Sequence, residues 1–493
     1  MGRICLWACV LAVGCSRADA VPVEADDAAR HENSSHAPLE VNAEPSRRVD
    51  APPNVADLRT RKFGHDWHGF LGPRGDSKST ETGILTEWPA EGPRLVWHTR
   101  VGEGYSMPSV ALGRLFHFSR YGDVARLSCV NAETGQPLWR FDYDTDYVDM
   151  YGYDGGPRSS PVIDGDRVYI LGAEGMLHCL NVADGALVWK VDTLARFHVV
   201  PNFFGVGGTP LVEGELLIVQ IGGSPAEDRR VPPGRLDLVH ADDACVVAFD
   251  KRTGEVKYRL GDDLASYSSP VAATIGGRRW CFVFAREGLL GFDPLAGKVD
   301  FHYPWRTRIL ESVNAANPVV VDDRVFISEA YGVGSSLLKA RPGGFDVVWA
   351  DAARTRSKSM MTHWNTAVHH DGHLYGSSGR QEAEAELRCV ELATRKVMWS
   401  EPNLTRSSLL YVDGHFVCLT ENGELLLIRA THEKFDPVAR VRMTIDEEGT
   451  FGGPRPLLQA PAWAAPILAH GLLYVRGATR LACLELIEPP SAN

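Results

Sequence analysis

The sequence predicts an all-β fold, an eight-bladed β-propeller of four-stranded antiparallel blades whose ring is closed by an N-terminal strand. Three observations carry this. A hairpin motif recurs about every 50 residues from Cys129 onward, and a fixed period of that length marks a repeat architecture. The 493 residues include 48 Gly, 30 Pro and 12 Trp, a turn-rich composition, and no stretch sustains a 3.6-residue apolar period. The last repeat lacks a strand, and the N-terminal region carries a spare one.

In chain order, the first element is an export signal over residues 1–20. Arg3 supplies a positive charge, and Ile4 to Gly14 form an apolar run too short to span a membrane. Leu11-Ala12-Val13-Gly14-Cys15 resembles a bacterial lipobox, with Ala12 where Leu is usual, so Cys15 is the expected lipidation site. Cleavage after Ala20 is the alternative. Residues 16–62 are rich in Ala, Asp, Glu, Pro, Ser and Arg and nearly free of aromatics; such a segment cannot bury enough apolar surface to fold and reads as a disordered tether. Residues 63–94 form an extension expected to pack on the propeller, which runs over 95–488 and leaves a tail of 489–493.

The clearest copies of the motif are Cys129-Val-Asn131-Ala-Glu-Thr134-Gly135-Gln-Pro-Leu-Trp139 and Cys179-Leu-Asn181-Val-Ala-Asp184-Gly185-Ala-Leu-Val-Trp189. Each reads as a strand ending at Asn or Asp, whose side chain caps a turn, a Gly in the left-handed position, and a second strand bearing an aromatic. Copies ending in Tyr258 and Phe301 follow, and Trp349 and Trp399 extend the series. A second strand pair precedes each hairpin, as in Val162-Ile-Asp164-Gly165-Asp-Arg-Val-Tyr169, which makes four strands per repeat. The eight repeats start at Pro108, Pro161, Pro210, Pro270, Pro318, Thr366, Leu409 and Pro466. Repeat eight ends at Leu481-Ala-Cys483-Leu-Glu485-Leu486 without an outer strand, and Leu95-Val-Trp97-His-Thr-Arg-Val101 fits the gap. Trp97, Trp139, Trp189, Tyr258, Phe301, Trp349 and Trp399 are therefore expected to dock blade on blade, with Trp139, Trp189 and Trp399 largely buried. Trp305 lies outside the motif and is expected to tolerate replacement.

A net charge of −12 with no clustered Lys or Arg argues against nucleic acid and anionic membrane surfaces as partners; a membrane is expected only through the lipid anchor, and the body is expected to be a monomer. Of 10 Cys, Cys129, Cys179, Cys389 and Cys483 fall at one strand position in four blades, beyond disulfide reach of one another, and are expected to be buried thiols. The alternating carboxylates of Asp142, Asp144, Asp146 and Asp149 lack the Gly and Glu of a calcium loop and read as a solvated inter-blade loop. His369, His370 and His373 align with the Asp164-Gly165 turn and read as exposed turn histidines, so no metal site is expected. No Gly-x-Ser-x-Gly elbow appears.

Polar and aromatic residues near the start of each innermost strand are the candidate ligand site, because propellers line a channel mouth there. They are Arg158 and Ser159, Asn202, Tyr267 and Ser268, Asn314 and Asn317, Trp364 and Asn365, Arg406 and Trp463. The expected ligand is a protein or a small molecule on a propeller face.

The hairpin resembles the tryptophan-docking repeat of the pyrroloquinoline-quinone dehydrogenase propellers from about Trp67 to Glu488, with Cys129 or Cys179 where Ala is usual. It is similar, more closely, to exported bacterial propeller-repeat proteins of the quinone-binding-like type, common in planctomycetes. Trp67-His-Gly-Phe-Leu-Gly72-Pro73, Pro157-Arg158-Ser-Ser-Pro161 and Trp463-Ala-Ala-Pro466 carry that likeness. The lipid-anchored scaffold of the outer-membrane β-barrel assembly machinery resembles it more distantly. The dehydrogenase resemblance implies a quinone held by Trp and a ring of adjacent cysteines, with calcium and an Asp base. This chain has no adjacent Cys pair and no Cys-x-x-Cys-His, so no cofactor is expected and the fold's use is expected to be binding or scaffolding. A pyrroloquinoline-quinone and calcium dehydrogenase is the first alternative, and a hydrolase using channel carboxylates the second.

Overall fold

A computed structural model of the chain describes residues 55–352, 355–446 and 453–489. The signal, Cys15 and residues 16–54 lie outside the described residues. Eight antiparallel four-stranded sheets follow one another in the chain. Blade 1 comprises Ser109–Ala111, Arg114–Tyr121, Val124–Asn131 and Pro137–Asp144, and blade 2 Val162–Asp164, Arg167–Leu171, Met176–Asn181 and Leu187–Asp192. Blades 3 to 7 repeat this order. Blade 8 takes Ile467–Ala469, Leu472–Arg476 and Arg480–Glu485 from the C-terminus and Leu95–Arg100 from the N-terminal side, which pairs antiparallel with Arg480–Leu484 and closes the ring. Blade 6 starts one residue later than expected: the turn at Asp371-Gly372 pairs His370 with His373, which makes Ala367 the counterpart of Pro108.

The turn chemistry follows the motif. Asn131 Oδ1 accepts the backbone N–H groups of Glu133 and Thr134, both at 3.0 Å, and Asp250 and Asp293 do the same in blades 3 and 4. Gly135, Gly185, Gly254 and Gly297 take positive φ. Each lies under the aromatic of the preceding blade: a Cβ on Gly185 would stand 2.5 Å from Trp139, and one on Gly135 2.8 Å from Trp97. The indole then donates Nε1–H to the carbonyl after the Asn131-equivalent residue, Trp97 to Ala132, Trp139 to Val182, Trp189 to Lys251 and Trp349 to Leu392, and Trp399 reaches one residue further, to Thr431, all at 2.8–3.2 Å. Tyr258 does this through its hydroxyl to Pro294. Across the strand pair, Cys129, Cys179, Cys389 and Cys483 stand opposite Trp139, Trp189, Trp399 and Trp97, buried and free, with thiols that burial holds well above the ordinary range.

One expectation about these aromatics is corrected. Trp189 and Phe301 are buried, and Trp97, Trp139, Tyr258, Trp349 and Trp399 are largely buried with one edge exposed, on outer strands along the propeller rim. Phe301 has no donor, and Trp305, not expected to dock, supplies it: its Nε1–H reaches Gly334 O of blade 5 at 3.1 Å. Gly185→Ala is expected to destabilise by roughly 1–3 kcal/mol, combining left-handed backbone strain with the clash against Trp139. Gly165→Ala, at a similar φ with nothing within 4 Å of its Cβ position, is the control. Midpoints in denaturant compare the two, and an equal effect would dissociate the glycine from the docking ring.

The extension is docked from Val55, not from residue 63 as expected. Glu133 accepts the N–H groups of Thr60 and Arg61, and Arg61 pairs with Glu485. Farther on, Trp67 exchanges backbone hydrogen bonds with Val110 on the innermost strand of blade 1, His68 O accepts from Ile163 in blade 2, and Ser77 and Ser79 pair with Tyr411 in blade 7. The extension thus covers the inner sheet edges of three blades.

Its latch is His470, in the first turn of blade 8. Nε2 lies 2.8 Å from Asp66 Oδ1 and Nδ1 2.6 Å from Phe63 O, so both ring nitrogens face acceptors and the site holds the imidazolium. Burial opposes the charge, but these bonds outweigh it and raise the pKa above 6.5. Glu81 faces the same turn, accepting the N–H groups of His470 and Gly471, and Arg59 lies 3.8 Å from Asp66. A raised folded-state pKa gives stability that is complete below the unfolded value near 6.5 and is lost as pH rises through the folded value. Asp66, held low, stays ionised throughout that window. The melting temperature is expected to fall above pH 6.5, and His470→Asn, which tolerates the positive φ, is expected to remove that slope.

Candidate functional site

The innermost strands meet around a central channel whose wall is tied blade to blade. In blades 1 to 5 the residue two before the innermost strand donates its N–H to the side chain of the equivalent residue one blade on. Met107 donates to Ser160 Oγ, Ser160 to Thr209 Oγ1, Thr209 to Ser269 Oγ, Ser269 to Asn317 Oδ1 and Asn317 to Thr366 Oγ1, at 2.8–3.1 Å. Backbone groups too far apart for sheet pairing are satisfied in this way.

Two residues before that girdle the chain reaches the channel mouth. The side chains at this offset are Tyr105, Arg158, Gly207, Tyr267, Ala315, Trp364, Arg406 and Trp463 in blades 1 to 8. All but Arg406 line one cavity of about 180 Å³. A Cβ on Gly207 would stand 2.7 Å from Tyr267, which fills the side of blade 3, whereas the small Ala315 leaves room on the side of blade 5. Phe70 and Leu71 of the extension also line it, and Phe70 and Thr366 are shared with a wider cavity of about 810 Å³ along the innermost strands.

The walls are mostly aromatic. Trp463 lies 4.4 Å from Trp364 and 4.6 Å from Tyr105, centroid to centroid, and 5.8 Å from Tyr153, which reaches Phe204 and then Tyr267 at 5.6 Å each. Two arginines stack on this wall. Arg158 stands 5.4 Å from the Tyr105 ring and 5.3 Å from Tyr147; Arg406 stands 4.3 Å from Trp364 and 5.4 Å from Trp463. Both are neutralised. Arg158 Nη2 donates to Asp149 Oδ2 and Arg406 Nε to Glu421 Oε2, each at 2.8 Å, and Trp463 Nε1 donates to Glu421 at 2.7 Å. His363 also lines the cavity; burial, then the nearby Arg406 and Arg380, push its pKa down to about 3, so it is neutral.

Of the eleven expected site residues, the cavity takes Arg158, Tyr267, Trp364, Asn365 and Trp463. The others have other work. Ser159 is fully buried with no partner for its hydroxyl. Asn202 faces a neighbouring depression between blades 2 and 3 and bonds Phe203 N. Ser268 bonds Phe284 O, Asn314 clips blade 4 through Ala285 O, and Asn317 belongs to the girdle. Arg406 supports the wall from behind.

Sequence reasoning missed Tyr105, Tyr153, Phe204 and His363, and also Asp149 and Glu421. The fixed offset before each innermost strand was the available signal for Tyr105; the others lie in loops of irregular length. The carboxylate run is a solvated loop only in part: Asp142 and Asp144 are exposed but sit on the outer strand of blade 1, Asp146 is exposed beyond it, and Asp149 is buried. The histidines are not simply exposed either. His373 is buried and stacks on His432 at 4.4 Å, and His370 stacks on Tyr411 at 4.3 Å.

Fold and site together define a pyrroloquinoline-quinone-like β-propeller with a ligand-sized cavity at its channel mouth. The chain belongs to the family described as outer membrane protein assembly factor BamB, whose model matches residues 123–401, more than half of the sequence. Its fold is similar to quinohemoprotein alcohol dehydrogenase from Comamonas testosteroni, with 12% identity over 89% of this chain and 82% of that one and a TM-score of 0.58. It is also similar to BamB from Moraxella catarrhalis, with 13% identity, 80% and 97% covered, and a TM-score of 0.49. The computationally designed Ika8 protein aligns with 11% identity, 80% and 100% covered, and a TM-score of 0.50. No curated protein matches the sequence. At these identities the structural likeness concerns the fold.

The quinone implied by the dehydrogenase resemblance does not fit this set of residues. A tricarboxylate with calcium needs free cations and free carboxylates, whereas Arg158 and Arg406 are already paired with Asp149 and Glu421. Among the described residues no three His, Cys, Asp or Glu side chains gather closely enough to hold a metal ion. The cavity is also smaller than the ~300 Å³ at which pockets for larger ligands begin.

Proposed function

We propose that this protein is an exported, lipid-anchored, non-catalytic binding or scaffolding module, monomeric, that engages a protein or a small molecule at the channel-mouth face and meets a membrane only through lipidated Cys15. The family's description as an outer membrane protein assembly factor supports an envelope scaffold. The observation that carries the non-catalytic part is the engagement of the carboxylates beside the cavity. Asp149 and Glu421 are each held by an arginine, and Asp154 lies 3.8 Å from Arg158 Nη1, so these three, the carboxylates nearest the cavity among the described residues, are engaged rather than free to act as general base, hydrolytic acid or metal ligand.

The purified protein, supplied with pyrroloquinoline quinone and calcium, is expected to reduce no artificial dye with alcohols or aldoses. Quinone-dependent turnover lost in Arg158→Ala would replace this reading with the dehydrogenase. For the anchor, Cys15→Ala is expected to release the protein from the membrane fraction; unchanged sedimentation would remove lipidation from the proposal.

A further inference from the structure

The geometry points to a single six-membered aromatic ring bearing a hydroxyl, a phenol, as the ligand of the channel-mouth cavity. This rests on the binding-module reading and adds the ligand's chemical class. Size comes first: the cavity measures about 180 Å³, and an apolar cavity of about 150 Å³ is enough to hold benzene. A single ring fits it. The walls favour an arene over a saturated ring, because Tyr105, Trp364 and Trp463 on one side and Phe204 and Tyr267 on the other offer faces and edges for stacked and edge-on contacts.

Two polar atoms then select the substituent. Arg158 Nε and His363 Nδ1 are both buried without a hydrogen-bond partner, and both side chains line the cavity. Arg158 Nε only donates, so the ligand needs an acceptor. His363 is neutral and shares Nε2 with the Tyr331 hydroxyl at 3.1 Å, so its Nδ1 donates or accepts according to tautomer. A hydroxyl oxygen accepts from Arg158 and matches His363 in either form. A bare ring leaves both atoms unpaired. A carboxylate would enter a site where Asp149 and Glu421 already neutralise the two arginines.

The test is calorimetric titration of the purified full chain with p-cresol, toluene, cyclohexanol and N-acetyl-tyrosinamide. One p-cresol is expected per protein, bound at least about tenfold (~1.4 kcal/mol) more tightly than toluene or cyclohexanol. Ala315→Leu fills the open side at a half-exposed position and is expected to weaken p-cresol binding by at least about tenfold with an unchanged melting curve. Trp463→Ala, checked for folding in the same way, is expected to weaken it likewise. Binding of N-acetyl-tyrosinamide as tight as that of p-cresol assigns the ring to a tyrosyl side chain of a polypeptide; binding of p-cresol alone assigns it to a free phenol. No p-cresol binding at millimolar concentration, equal affinity for toluene, or binding unaffected by Ala315→Leu overturns the inference. Those results leave the dye-reduction test, and with it the non-catalytic reading, untouched.

Discussion

Deleting residues 94–101 is expected to abolish the cooperative melt of the protein or drive it to aggregate. Leu95–Arg100 is the outer strand of blade 8, paired along its length with Arg480–Leu484. Its loss exposes the edge of a strand whose side chains are all buried. The same strand carries Trp97, which lies over Gly135 and bonds Ala132 O, so the deletion also removes the docking contact between blades 8 and 1. In a closed ring each blade buries its faces only against its neighbours, and one open seam frees both flanking blades. A truncated protein that melts like the intact one would refute closure by this strand.

Arg476→Met is expected to cost about 3 kcal/mol or more, because it strands several buried acceptors at about 1–3 kcal/mol for each left unsatisfied. Arg476 is 2% exposed on the second strand of blade 8, at the same seam. Nη1 donates to Ser106 O at 2.8 Å and Phe118 O at 3.3 Å; Nη2 donates to Gly102 O at 3.1 Å and Ser119 Oγ at 3.2 Å. Burial lowers its pKa to about 10, which leaves it charged at neutral pH. No carboxylate touches it; the planar fork gathers three carbonyls and a hydroxyl of blade 1. Met preserves the volume and strands those acceptors. Arg476→Lys is expected to recover only part of the loss, since one ammonium cannot span the fork. The denaturant midpoint measures this, with an unchanged slope confirming that the unfolded state is not the cause. A loss below about 1 kcal/mol would show that water takes the guanidinium's place.

The repeat was legible because its causes are local. Asn131 capping its own turn, Gly135 at positive φ and Trp139 four residues on are decided within a dozen residues and recur with the period. Where local chemistry was weak the reading slipped. Blade 6 has Ala367 where six other blades have Pro and was placed one residue early. Trp305 lies past its strand, so its docking hydrogen bond to Gly334 carried no motif.

The site was half legible, since polar character near the innermost strands is a poor guide to which atoms remain free. Asn314, Asn317 and Ser268 match the expected type but are consumed by backbone groups, the first two by those of a neighbouring blade and Ser268 by one of its own. The aromatics Tyr153 and Phe204 lie in loops whose course the period does not constrain.

By itself, then, the sequence determined the number of blades, their turns and docking aromatics, and the strand that closes the ring, because periodic hairpins can bury their faces in one way. Only the tertiary structure decided where a cavity opens. That depended on residues of five different types converging at one offset, with Ala315 too small to fill its share. It depended on Phe70 and Leu71 reaching the channel through an extension latched by Asp66 and His470, 404 residues apart. It depended, too, on which carboxylate met which arginine, Asp149 with Arg158 and Glu421 with Arg406. Pairings of this kind are set by ring closure, which no local pattern encodes.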